Sequence, residues 1–129
     1  MTLKQLSKYH DVKIELDDLS NRIKELELTL IKTTKIDENK VDTTFVNGSP
    51  TERIVIKIND LKTKYSNKQI DLIDELSKIE DYLDTIDDNE VRTIMRKRFI
   101  DLMTWEQIAE QMHYSNPVVY YKVKNYLSK

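Results

Sequence analysis

From Tyr9 onward the apolar residues fall at Val12, Leu16, Leu19, Ile23, Leu26 and Leu30. The gaps alternate three and four, which is the seam of a heptad helix. Lys13, Glu15, Asp17, Asp18, Arg22, Lys24, Glu25 and Glu27 fill the remaining faces. A helix with so narrow an apolar stripe needs a partner, and the pattern admits either the next helix of the chain or a second copy. Between Thr33 and Ser49 the period fails and Thr, Lys, Asp, Asn and Glu dominate. Asn47-Gly48 is a turn dipeptide, and Phe45-Val46 is the one adjacent apolar pair, so a connecting loop is expected over 33–49. Ser49-Pro50-Thr51-Glu52 then supplies a cap, a proline at the first helical position and a glutamate at the third. The helix it starts carries a second seam: Ile54, Ile58, Leu61, Tyr65, Leu72, Leu76, Ile79, Leu83 and Ile86. Its register slips at Asn67–Ile70, where Lys68 and Gln69 occupy seam places. At 1.5 Å per residue this helix spans roughly 50 Å, a length that pairs readily with the first in an antiparallel hairpin.

Asp87-Asp88-Asn89-Glu90 resets the chain, since either aspartate can cap and the acids suit the positive end of a helix. Val91, Ile94, Met95, Phe99 and Leu102 give the buried face of the helix that follows. Arg92, Arg96, Lys97 and Arg98 lie on its other faces, and Arg96, Lys97 and Arg98 read equally as phosphate contacts or as a solvated basic face. Next come two short helices. Thr104 caps the first, Trp105–Met112, with Gln107 closing a T-x-x-Q capping box and Met103 and Ile108 placed as a hydrophobic staple. His113-Tyr114-Ser115 forms the turn. Ser115 is expected to cap the second helix, Asn116 to about Leu127, with Pro117 in its first turn and Tyr114 and Val119 as staple. Ala109 is the small residue that a close crossing needs, with Ile108, Met112, Tyr114, Val119 and Val123 filling the space between. The second helix then presents Asn116, Tyr120, Tyr121 and Lys124, with Lys122 on its flank. Amide, phenol and ammonium groups on an otherwise apolar short helix suit a DNA major groove.

The remaining bounds come from composition. The 129 residues include one glycine, two prolines and no cysteine. That disfavours a β-sheet protein and excludes disulfides and thiolate metal sites. The net charge of −2 weakens a general nucleic-acid reading. The acidic excess, however, lies in residues 1–86, whereas from Gln111 to the end there are three lysines and no acid. No catalytic constellation is present: His10 and His113 stand apart, with no carboxylates at ligand spacing, and no glycine-rich phosphate loop occurs. A non-enzymatic protein without cofactor or metal is expected. No apolar leader follows Met1 and no apolar run reaches membrane-spanning length, so a cytoplasmic location is expected.

The stretch Trp105-Glu106-Gln107-Ile108-Ala109-Glu110-Gln111-Met112-His113-Tyr114-Ser115, with Val119-Tyr120 beyond it, resembles the helix-turn-helix by which sigma factors read the promoter −35 element. It is similar above all to small sigma-like regulators of Gram-positive bacteriophages, the ArpU/RinA type and relatives, with their W-x-x-I-A and Tyr-Ser pair. The similarity extends through Arg96-Lys97-Arg98-Phe99-Ile100 and more loosely to Asn47–Glu52. His113 departs from the usual glycine, and Lys122 stands at a usually apolar place, which would turn Val123 toward the core. The resemblance implies a phage-encoded activator of late genes, in the host cytoplasm, that touches RNA polymerase.

The combined expectation is an all-α chain. Residues 1–86 form a long helical hairpin or coiled coil for oligomerisation, and 87–129 form a helix-turn-helix domain resembling the −35-reading domain. The expected partners are double-stranded DNA, RNA polymerase and a second copy in a dimer, with no membrane. Asn116 and Tyr120 would meet base edges, with Lys124 and Tyr121 on phosphates and Lys122 on the flank. Thr104, Trp105 and Ser115 would lie close to the backbone. Two other readings stay open: a phage small terminase subunit that recognises packaging DNA, and a coiled-coil adaptor that docks proteins.

Overall fold

The computed structural model describes residues 1–38 and 49–129. Among these residues every regular element is a helix: α1 (Leu3–Leu6), α2 (Lys8–Glu38), α3 (Pro50–Asp84), α4 (Asn89–Phe99), α5 (Trp105–Met112) and α6 (Asn116–Leu127). The all-α expectation holds at this level. No helix among the described residues is long and apolar enough to cross a membrane.

Local chemistry accounts for most helix starts. Thr2 opens α1 through a capping box with Gln5, a second T-x-x-Q that the sequence reading passed over. The Ser49 hydroxyl accepts from the Glu52 N–H at 3.2 Å at the start of α3. The Asp88 carboxylate accepts from the N–H groups of Glu90 and Val91 at the start of α4. One boundary differs from expectation. The polar run from Thr33 does not end α2, which continues to Glu38. No glycine or proline interrupts that stretch, and extending a formed helix costs little. The Thr34 hydroxyl donates to the Leu30 carbonyl at 2.8 Å, which satisfies its side chain inside the helix. The rest of the expected loop, with Val41, Phe45-Val46 and Asn47-Gly48, lies outside the described residues.

The chain divides into two compact units, residues 14–70 and residues 1–13 with 71–129. The expected boundary at 86/87 therefore does not coincide with the division of contacts. The reason is packing: Ile79 and Leu83 at the end of α3, and Ile86 just beyond it, are buried with Leu6 and Tyr9 and with Val91, Ile94, Met95 and Phe99 of α4. In the 14–70 unit, Ile23 packs with Ile58 and Leu61, flanked by Leu19, Leu26, Leu30, Ile54 and Tyr65. Ion pairs Lys62–Glu27 (3.5 Å) and Lys68–Glu15 (2.6 Å) show that α2 and α3 run antiparallel within it. The seam slip at Lys68 thus has a use, since that side chain reaches an acid across the pair.

Candidate nucleic-acid interface

Helices α4, α5 and α6 share one core, in which Ile108, Val119 and Val123 are fully buried and Ala109 is 1% exposed. Ala109 lies in the same cluster as Val119 and Val123 of α6. The start of α5 is fixed on both sides of its capping box. The Gln107 N–H donates to the Thr104 hydroxyl (3.1 Å), and the Thr104 N–H donates to the Gln107 side chain (3.0 Å). Its end is a Schellman turn, in which the Tyr114 N–H donates to the Ala109 carbonyl (2.9 Å) and the His113 N–H to that of Glu110 (3.4 Å). His113 has φ 61° and ψ 38°, so it holds the left-handed position that glycine usually takes. Leu102, between α4 and α5, also has positive φ, at 58°.

Several expected site residues sit elsewhere than predicted. Ser115 is the N-cap of α6, yet its hydroxyl makes no cap bond. Pro117 removes one of the N–H donors it could have accepted. The Val118 N–H turns instead to the Ser115 carbonyl at 3.1 Å. Tyr114 does not staple the core, because its ring is exposed. Lys122 is not a free cation, since its ammonium lies 3.1 Å from Glu90 of α4 and 5.3 Å from the Tyr114 ring centre. Hydrogen bonds from Tyr114 and Lys122 hold the Glu90 carboxyl below the usual carboxylate range. In return Glu90 pushes the Lys122 ammonium and the Tyr114 phenol above theirs.

Tyr120 is half-buried rather than open, because its ring meets Trp105 edge-on at 5.4 Å. Trp105 meets Phe99 edge-on at 6.3 Å, and the Arg98 guanidinium lies 4.7 Å from its ring centre. Arg98 also donates to the Met103 carbonyl (3.0 Å), and burial lowers its pKa. It therefore braces the α4–α5 junction instead of standing ready for phosphate. Lys97 donates to Gln111 at 2.9 Å, whereas Arg96 is exposed. Thr104 and Asn116 are exposed, Tyr121 is 54% exposed, and Lys124 is exposed with its ammonium 5.9 Å from the Tyr120 ring centre.

The outward face of α6 is thus Pro117, Val118, Tyr121, Lys124 and Asn125. The sequence reading missed Val118 and Asn125 and gave Tyr120 their place. The signal was present: 118, 121 and 125 recur at three and four residues, opposite the buried 119 and 123. Tyr120, at about 100° per residue, lies only some 60° from Val123 and so belongs to the flank. Glu90, which ties α4 to α6, carried no local signal at all, because its partners are far along the chain.

No protein-family model, no curated protein and no solved structure matches this chain.

Proposed function

We propose that this protein is a sequence-specific DNA-binding regulator of transcription, with α5 and α6 as its helix-turn-helix and α6 in the major groove. The observation that carries this reading is α6 itself. It is a short helix anchored by Val119 and Val123, preceded by a tight left-handed turn, whose outward face bears Val118, Tyr121, Lys124 and Asn125. From Gln111 onward it belongs to a segment with three lysines and no acid, which suits a polyanion. Asn116 and Tyr121 meet base edges, Lys124 meets phosphate, and Arg96 on α4 reaches the neighbouring backbone. Tyr120, Lys122 and Arg98 hold the helices in place for this task. The sigma-like resemblance adds the narrower reading of a phage-encoded late-gene activator that touches RNA polymerase, acting as a dimer on two half-sites.

A salt-titrated shift assay with DNA from the protein's own genomic neighbourhood tests the proposal. Binding should fall steeply with salt. Lys124→Ala should weaken it on all sequences and reduce the salt slope by about 1, whereas Asn116→Ala should relax sequence preference. Absence of binding at low salt would leave the adaptor reading in its place.

A further inference from the structure

The outward face of α6 has an unusual division. Its first turns expose Pro117, Val118 (39%) and the Tyr121 ring (54%), and only then come Lys124 and Asn125. Helices that enter the major groove meet base edges chiefly through their N-terminal residues, so the apolar part is the part that faces the bases. Each base pair presents different chemistry there. Guanine is usually read by a bidentate arginine or lysine, cytosine by a carboxylate, adenine by an amide, and thymine by an apolar contact with its C5 methyl.

The chain lacks several of these readers. No arginine follows Arg98, and no acid follows Glu110. Of the α6 lysines, Lys122 is engaged by Glu90, and Lys124 leans toward Tyr120 on the flank. What remains on the face is a methyl-bearing surface that ends on the Asn125 amide, with Asn116 exposed at the helix start beside it.

We propose that α6 selects A·T base pairs, with Val118 and the Tyr121 ring packed on thymine C5 methyl groups and the asparagine amides on adenine. This rests on the DNA-binding reading above. The three lysines and missing acids of 111–129 supply the match to a polyanionic duplex rather than to an apolar protein groove. The specificity is carried by the loss of water from methyl groups, so it is insensitive to salt, unlike the lysine contribution.

The experiment uses the full chain. Bound duplexes are first selected from a random pool. The affinity of a selected duplex is then compared with that of the same duplex in which deoxyuridine, which lacks the C5 methyl, replaces every thymine. The expected result is an A·T-rich selection and a loss of about four-fold per contacted methyl. The loss should keep its size as salt is raised and shrink in Val118→Ala. Because Val118 is exposed, that variant should retain the wild-type helical circular dichroism, and the deoxyuridine comparison needs no variant at all. Equal binding of the two duplexes, or a G·C-rich selection, overturns the inference while leaving DNA binding intact. Failure to bind any duplex at low salt overturns both.

Discussion

His113 and Glu90 show how single residues fix the mutual placement of α5 and α6. A non-glycine residue in the left-handed region carries a cost of roughly 1–2 kcal/mol, part of which glycine gives back through its freer unfolded chain. His113→Gly should therefore stabilise the protein by about 0.5–1 kcal/mol, read by urea denaturation followed through Trp105 fluorescence. A destabilised variant would mean that the imidazole makes a compensating contact. Glu90 acts through charge. Its carboxyl is held low, so its contribution is present above the unfolded value of about 4.3 and lost as pH falls through the lower folded value. Lys122 and Tyr114 are raised, so theirs is full below about pH 10 and lost as pH rises through the folded values. Glu90→Gln should thus be less stable than wild type between about pH 5 and 9, with the gap closing below about pH 4. A gap that persists at pH 3 would show that shape, not charge, joins α4 to α6. The glycine-like demand at 113 was legible only through the resemblance to sigma-like turns, which usually carry glycine there. The pairing of Glu90 with Lys122 was not, because nothing local links residues 32 positions apart.

At the scale of elements, the helices that announce themselves are those with short-range chemistry at their ends. Thr104–Gln107, Ser49–Glu52 and Asp88 all cap as their spacing requires. The end of α2 was misread because polar composition argues for a loop only where something also breaks the helix, and the first glycine comes at Gly48. Amide and phenol chemistry alone does not give the outward face of α6, which the buried Val119 and Val123 set from the opposite side. Ala109 tests whether the crossing of α5 and α6 depends on a small residue. Ala109→Gly keeps the space and should cost about 1 kcal/mol from helix propensity alone. Ala109→Leu overfills a closed core and should cost about 1–3 kcal/mol. Because the strain falls between α5 and α6, the leucine variant should also lose sequence-selective DNA binding, while the glycine variant keeps it. Equal selectivity in the two variants, measured on the same duplex pool, would remove Ala109 from the crossing.

For the whole molecule the informative quantity is how unevenly buried apolar surface is distributed. The unit made of 1–13 and 71–129 holds a continuous cluster from Leu6 to Val123. Among the described residues of the 14–70 unit, Leu16, Ile23, Ile58 and Leu61 are buried, while Ile14, Leu28, Ile31, Val55, Ile56 and Ile70 are exposed. Its ion pairs sit on exposed side chains, where each contributes at most about 1 kcal/mol. Local stability follows buried contacts, so amides of 14–38 and 50–70 should exchange hydrogen faster than those of α4 and α6. The heptad seam shows that α2 needs a partner but leaves the next helix and a second copy equally open, because a seam describes one face only. It is silent on the apolar residues of the other faces, and those separate a lone hairpin from one that meets a second copy. Raising the protein concentration decides between them. If the proposed dimer forms through this unit, exchange at 14–38 and 50–70 slows with concentration while α4 and α6 stay constant. If no concentration dependence appears, these segments do not join two copies, and any spacing of the proposed half-sites falls to the 1–13 and 71–129 unit instead.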